Sequence, residues 1–148
     1  MVQKDELNLL KQLFQKIIIA QSVKNELLQK NPQHLIQIEK IKNALNDWIV
    51  VEDVKEPKIH APQLGKGELD SINLSLESID CLLLMDEKKG RIIARSLNIK
   101  ILGVLGILAL ARKKNYKSKE EIFKNIENLL QQGFYLSSEV IISFINSL

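Results

Sequence analysis

The chain has little of what several classes of protein depend on. A single cysteine, Cys81, excludes an internal disulfide. The two histidines, His34 and His60, lie far apart and have no cysteine partners. No zinc-binding spacing is therefore present, and any metal would have to sit on carboxylates. Aromatic residues make up 5% of the chain, too few for a single-strand binder that stacks bases on exposed rings. Phe14, Trp48, Phe123, Phe134 and Phe144 are expected to fill the core instead. Long apolar runs are also missing: the longest, Ile101 to Ala111, falls well short of the roughly 18–20 residues that span a bilayer. The opening MVQKDELNLL carries charges where a signal peptide needs an apolar core, so a cytoplasmic location is expected and no membrane partner.

Neither sign of charge dominates. There are 21 Lys and Arg against 18 Asp and Glu, a net charge of +3, which is compatible with nucleic-acid binding without requiring it. What is abundant is ordinary globular material: 148 residues, 45% hydrophobic and 26% charged, the size and composition of one compact domain spanning the whole chain.

Along the chain, helix and strand signals alternate. KDELNLLKQLF spaces Leu7, Leu10 and Phe14 as one helical face, and the β-branched run Ile17 to Ile19 follows as a strand. Val23, Leu27 and Leu28 resume a helical period. Asn31-Pro32 then marks a helix start, with asparagine as N-cap and proline at the first helical position, for a helix running to about Asn46. WIVVEDV (Trp48 to Val54) predicts a strand, after which Pro57, Pro62 and Gly65 punctuate a loop. A helix returns from Gly67 to about Ile79. CLLLM (Cys81 to Met85) is a short apolar run of the kind found in strands buried on both faces. A basic helix from Lys88 to Leu97, a strand from Ile99 to Leu102 and an apolar helix from about Val104 to Lys114 come next. Ser118 and Glu121 make a capping-box signature, Gly133 is the expected terminator of that helix, and a last helix starts near Ser137. Short strands separated by crossover helices predict an α/β fold in three layers, with a central, mostly parallel sheet and helices on both faces.

In open α/β sheets ligands collect at the carboxyl ends of strands, so acids placed there are the first candidates. Asp86 directly follows CLLLM and is equally placed to N-cap the next helix. Glu68 opens a helix, where a carboxylate also complements the helix dipole. Glu26, in QSVKNELL, fits a solvated helix face as well as a ligand. Position alone does not separate these readings. Among the cations, Lys88, Lys89, Arg91 and Arg95 share the helix after Asp86, and Arg112, Lys113, Lys114, Lys117 and Lys119 gather near another helix end. Such runs are commonly solvated faces, and cations at a helix C-terminus suit its dipole. Arg91 is the stronger candidate for phosphate, because it follows Asp86 closely at the same strand edge, with Arg95 one turn further on.

Four stretches together resemble a known family: GKGELDSI (Gly65 to Ile72), LLLMDEKKGRIIA (Leu82 to Ala94), ILGVLGILALAR (Ile101 to Arg112) and LLQQGFYLS (Leu129 to Ser137). They look like the PIN domain, in the branch of VapC-like proteins related to ribonuclease toxins of toxin–antitoxin modules. With LNLLKQLFQKIIIAQSVKNELL as a weaker early match, the resemblance covers nearly the whole chain. It implies acidic residues that hold Mg or Mn for hydrolysis of RNA, and three of the family's four acids transfer by motif: Glu26, Glu68 and Asp86. Hard divalent cations prefer such oxygen ligands, can activate water and can neutralise charge on a phosphoryl group. An antitoxin-like protein partner and a homodimer are further implications.

This sequence departs from the family pattern in two places. The family usually opens with a strand ending in aspartate, and Met1 to Asp5 leave no room for it, so the fold is expected to be short at its N-terminus. Asp5 precedes a helix and is no substitute. Because that strand would be central, two flanking strand edges are expected to stand open. Val104 also replaces the family's usual hydroxyl residue. Two functions follow as expectations: a metal-dependent endoribonuclease short of one ligand, or a catalytically inactive PIN-like module that binds nucleic acid or protein.

Overall fold

The structure, a computed structural model, describes residues 4–29 and 35–148. Those residues fold as a mixed α/β protein of helices and short parallel strands, as expected. They fall into two compact units, Met1–Leu102 and Gly103–Leu148.

Among the described residues every strand lies in the first unit. Helix α1 (Lys4–Phe14) leads to β1 (Ile17–Ala20), and α2 (Gln21–Leu27) follows without a break. Asp5 lies within the first turn of α1 rather than ahead of it. Helix α3 is described over Leu35–Leu45; its expected start at Asn31-Pro32 lies outside the described residues, as does His34. Strand β2 (Ile49–Glu52) pairs in parallel with β1, Ile17 opposite Ile49 and Ala20 opposite Glu52. Helix α4 (Lys66–Glu77), β3 (Leu82–Leu84), α5 (Lys88–Ser96) and β4 (Lys100–Leu102) complete the unit, with β3 parallel to β4.

Several helices stop by the same local device. Gln15, Asp80, Asn98 and Asn115 have φ between 55 and 63° just beyond helix ends, a left-handed conformation that asparagine and aspartate tolerate better than most residues.

The four strands form two separate two-stranded sheets, β1 with β2 and β3 with β4. Among the described residues each strand therefore has one paired and one unpaired edge. The prediction that CLLLM is buried on both faces is corrected: Leu83 and Met85 are buried on one face, whereas Leu82, on the other, is 44% exposed.

Helix α4 organises both pairs. Ser22, just past the end of β1, donates its hydroxyl to Asp70 in the first half of α4, at 2.6 Å. Cys81, just before β3, reaches the Ser75 carbonyl in the second half of α4. Leu83 and Met85 share a core with Leu64 and Ile72 at the helix's beginning. Both strands therefore finish beside the start of α4 and run in the same direction. A second core joins Ala44, Trp48 and Ile49 to Leu7, Leu10, Ile17 and Ile19.

The loop from 53 to 65 is fixed by polar contacts rather than by its prolines alone. Asn73, almost fully buried, accepts from the amides of Lys58 and Ile59 and donates to the Ile59 carbonyl. Glu77 accepts from the amides of Lys55 and Glu56. Each pairing satisfies backbone donors that would otherwise have to face solvent or stay unmet.

The second unit is helical: α6 (Val104–Lys113), α7 (Lys119–Gln131) and α8 (Ser138–Ser147). Its core is Leu108, Ile122, Ile126 and Phe144. The capping box at α7 forms as predicted, with both the Ser118 hydroxyl and the Glu121 carboxylate engaged. Gly133, at φ 88°, follows the end of α7, and Ser137 caps α8 through its hydroxyl. Trp48 and Phe144 are core residues as expected; Phe123 is not, being 41% exposed on α7. No helix among the described residues is long and apolar enough to cross a membrane.

Candidate active site

The acids singled out by sequence all lie in the first unit, at strand ends or on the helices that follow strands. Glu26 belongs to α2, directly after β1, and it is exposed. Its carboxylate is nonetheless laid against the N-terminal turn of α4. A Cβ added at Gly67 would stand 2.6 Å from Glu26 Oε1. Glycine is thus the residue that lets this carboxylate approach the backbone of α4 closely. Glu68, one residue on, folds back over the same turn, and its Oε2 would lie 2.5 Å from a Cβ at Gly65. Two carboxylates separated by 42 positions in sequence (68 − 26) therefore meet the start of one helix. The partial positive charge of a helix N-terminus favours both, and α4 has no side-chain N-cap competing for that position.

Asp86 follows β3, exposed, at the carboxyl end of the second strand pair. The expected alternative role for it is corrected: the N-cap of α5 is Glu87, whose carboxylate accepts from the Gly90 amide at 2.7 Å. The helix starts at Lys88 as the sequence suggested, and the residue directly before it is Glu87; Met85 still bonds through its amide to the Leu102 carbonyl, so the chain stays in the strand pair until just before Asp86. Asp86 is thereby excluded from the cap.

A cavity of about 650 Å³ opens beside Glu26. Its lining adds residues that were not singled out from sequence: Ser22, Asp53, Lys66 and Asp70. Asp70 is the best held of these, with a side chain only 19% exposed, the Ser22 hydroxyl at 2.6 Å and Lys66 Nζ at 3.3 Å. The i,i+4 spacing of Lys66 and Asp70 was readable in GKGELD; the partnership with Ser22 was not, since it depends on α2 packing across α4. The Ser22 hydroxyl ties α2 to α4 through Asp70, while Lys66 meets the same carboxylate from within α4.

The carboxylates are chemically suited to a hard divalent cation, being oxygen donors on rigid elements. Their placement is not a closed ligand set. Among the described residues no three carboxylate, histidine or cysteine side chains stand close enough together to hold a metal ion.

The cations expected to meet phosphate lie on α5. Lys88, Lys89 and Arg95 are exposed, whereas Arg91 is partly buried, and its Nε is enclosed without a hydrogen-bond partner among the described residues. Gly90 and Ala94 form the buried side of that helix. Val104 opens α6 in the second unit.

Neither the curated proteins nor the solved structures contain a match to this chain. A family model described as PIN domain, however, matches residues 1–148. PIN domains are nuclease-type domains that generally use divalent metals, and nucleic acid is the natural ligand class for such a fold. With acids at the carboxyl ends of parallel strands and a family match along its full length, the chain belongs to the PIN-domain family.

Proposed function

We propose that this chain is an RNA-binding PIN module of the VapC-like branch that, acting alone, holds RNA without hydrolysing it. The observation that carries the reading is the arrangement of the acids. Glu26 and Glu68 converge on the first turn of α4 while Asp86 stands at the end of β3, and no three acids come together among the described residues. Two-metal or one-metal phosphodiester hydrolysis needs an ion placed to activate water and to neutralise the phosphoryl charge. A partial ligand set lowers ion occupancy, and uncompensated carboxylates would repel the phosphate that they are meant to serve.

RNA contact falls to the exposed cations of α5. Lys88, Lys89 and Arg95 project from the helix that starts immediately after Asp86, so phosphate would be met beside the strand ends. Arg91 contributes less directly in this reading, because part of its guanidinium is buried. An antitoxin-like protein partner belongs to the same proposal as the toxin–antitoxin setting of the VapC-like branch, and Mg or Mn is the ion that the three acids would admit if the ligand set were completed.

The test is binding of single-stranded RNA as a function of salt, with divalent cations chelated. The protein is expected to bind with a salt slope that falls by about 0.7 for each phosphate contact removed. Lys88→Ala, Lys89→Ala and Arg95→Ala combined should therefore flatten the slope and weaken binding, while Asp86→Asn should leave binding unchanged or slightly tighter. RNA binding that is undetectable, or that vanishes on chelation, contradicts the proposal.

A further inference from the structure

The connection between α6 and α7 gathers charge of one sign. Arg112, Lys113, Lys114, Lys117 and Lys119 fall within the stretch RKKNYKSK, which holds no acid. We propose that this connection, together with Phe123 one turn into α7, is a binding surface for a single strand of RNA, with phosphates on Lys113, Lys114 and Lys119 and bases stacked on Tyr116 and Phe123. It takes its ligand class from the RNA-binding reading above and rests on that reading to this extent, but its residues lie in the other unit and are separate from the cations of α5.

Duties within the fold account for two of the five cations. Lys117 donates to the Asn125 side chain at 2.9 Å, and its charge favours the Glu121 carboxylate. Arg112 is partly buried, with its Nε enclosed. Lys113, Lys114 and Lys119 are exposed, and among the described residues the ion pairs, Lys11 with Asp47 and Lys66 with Asp70, lie elsewhere. The dipole of α6 favours Lys113 and Lys114 at its C-terminal end, yet Lys119 occupies the first position of α7, where a helix favours an anion. Helix formation gives no reason for a cation there, and a bound phosphate supplies one.

The rings are a second, independent observation. Aromatic side chains are scarce in this chain, yet Tyr116 is 44% and Phe123 41% exposed. Their scarcity rules out an extended stacking surface, and two rings make a local one. Phe123 follows Lys119 by four positions and so shares its face of α7. The backbone that presents Tyr116 is fixed on both sides. Asn115 takes φ 60° and the Tyr116 amide bonds to the Ala111 carbonyl, which closes the end of α6, while the capping box of Ser118 and Glu121 opens α7. A platform held in this way loses little freedom on binding.

A single nucleic-acid strand answers both features at once. An acidic protein segment would neutralise the lysines and leave the ring faces in water. An apolar segment would cover the rings and bury lysine charge without a partner, which is costly. In a duplex the bases stack on one another and are closed to both rings. A single strand offers a phosphate and a free base at every nucleotide, the pairing that cations interleaved with aromatic side chains bind.

The test uses the full chain with Lys88, Lys89 and Arg95 all replaced by alanine, which removes the α5 cations, and a short single-stranded RNA oligonucleotide with divalent cations chelated. Binding is expected to persist in this variant, with the ring resonances of Tyr116 and Phe123 shifted by RNA in NMR spectra. Adding Lys113→Ala, Lys114→Ala and Lys119→Ala should lower the salt slope by about 2, at about 0.7 for each contact. Tyr116→Leu with Phe123→Leu, which keeps the apolar bulk, should weaken binding about a hundredfold at unchanged slope and melting temperature. Tyr116→Phe with Phe123→Tyr should retain binding, and the leucine pair should not affect binding of an abasic strand of the same length. Loss of all binding in the α5 variant while the wild-type chain still binds, full affinity in the leucine pair, or an equal effect of that pair on the abasic strand overturns this surface and leaves the α5 reading standing. Polyglutamate that displaces the RNA and loses affinity equally in the leucine pair also overturns it, since the surface would then take an acidic protein segment. RNA binding that is identical in the wild-type chain and the α5 variant, and sensitive to the leucine pair, supports this surface and overturns the α5 reading. Absence of binding by the wild-type chain overturns both.

Discussion

The two units are built on different kinds of information. Residues 103–148 make helices whose starts and stops are written next to them: Ser118 with Glu121, Ser137, and Gly133 at positive φ. Their core joins Ile122 and Ile126, one turn apart on α7, to Leu108 of α6 and Phe144 of α8. Residues up to 102 depend on partners far away in sequence. Asn73 holds a loop some 15 residues distant, Ser22 meets Asp70 across 48, and β1 needs β2 across both α2 and α3. Every candidate for chemistry lies in this second kind of structure, where geometry rather than local preference decides what meets what.

That contrast can be broken or sharpened by substitution. The largest effects should come from the fully buried isoleucines, Ile72 on α4 and Ile122 on α7. Truncation to alanine should cost about 2–5 kcal/mol in either unit, measured by urea unfolding. The two should differ in what is lost: Ile72→Ala is expected to speed hydrogen exchange first in β1, β3 and the 53–65 loop, and Ile122→Ala first in α6 to α8. Simultaneous, equal loss across the chain in both variants would remove the distinction.

Next comes Asn73→Ala, which leaves the amides of Lys58 and Ile59 without their acceptor. The expected cost is about 1–3 kcal/mol, with the greatest change in exchange at those two amides. In the second unit Ser118→Ala should cost about 1 kcal/mol through loss of the cap, confined to the first turn of α7. A larger effect for the cap than for Asn73 would mean that the first unit is less dependent on its long-range polar contacts than its hydrogen bonds suggest.

Gly67→Ala separates stability from site geometry. Alanine inside a helix gains up to about 1 kcal/mol over glycine, but its Cβ displaces the Glu26 carboxylate from α4. Melting temperature is expected to hold or rise while the side-chain carboxyl resonance of Glu26 shifts in NMR spectra. A fall in melting temperature with no shift at Glu26 would show that the close approach does not define the site.

The smallest effect is acid dependence in α7. The Ser118 amide and hydroxyl hold the Glu121 carboxyl below its ordinary range, assisted by Lys117 and opposed by slight desolvation. A carboxylate whose pKa is lower in the folded state stabilises the fold above its unfolded pKa, and that contribution fades as pH falls through the folded value. Glu121→Gln should therefore lower stability slightly at neutral pH, leave it unchanged at pH values below the folded pKa, and so remove this small acid-side slope.

Much of this architecture was legible beforehand for a physical reason. Helix caps and β-branched runs report on themselves, so β1, β2, α7 and α8 appear where the sequence places them. The N-cap of α5 was misjudged because local preference favours aspartate over glutamate at that position, whereas the helix begins at Lys88 and takes the residue directly before it, Glu87, as its cap. Glu26 and Glu68 could be named from motif, but their convergence on Gly67 and Gly65 could not, since it rests on α2 crossing α4. Asp70 and Ser22 were missed because a hydroxyl and a carboxylate in separate helices leave no periodic trace. A groove lined by β1, β3 and the small side chains of α4 is visible only in three dimensions.

The central claim, that this chain binds RNA and does not cut it, is tested most directly by incubating the purified protein with end-labelled single-stranded RNA and manganese and resolving the products. The account predicts retarded but intact RNA, identical for the wild-type chain and for Asp86→Asn. Manganese-dependent cleavage by the wild-type chain that disappears in Asp86→Asn would contradict it.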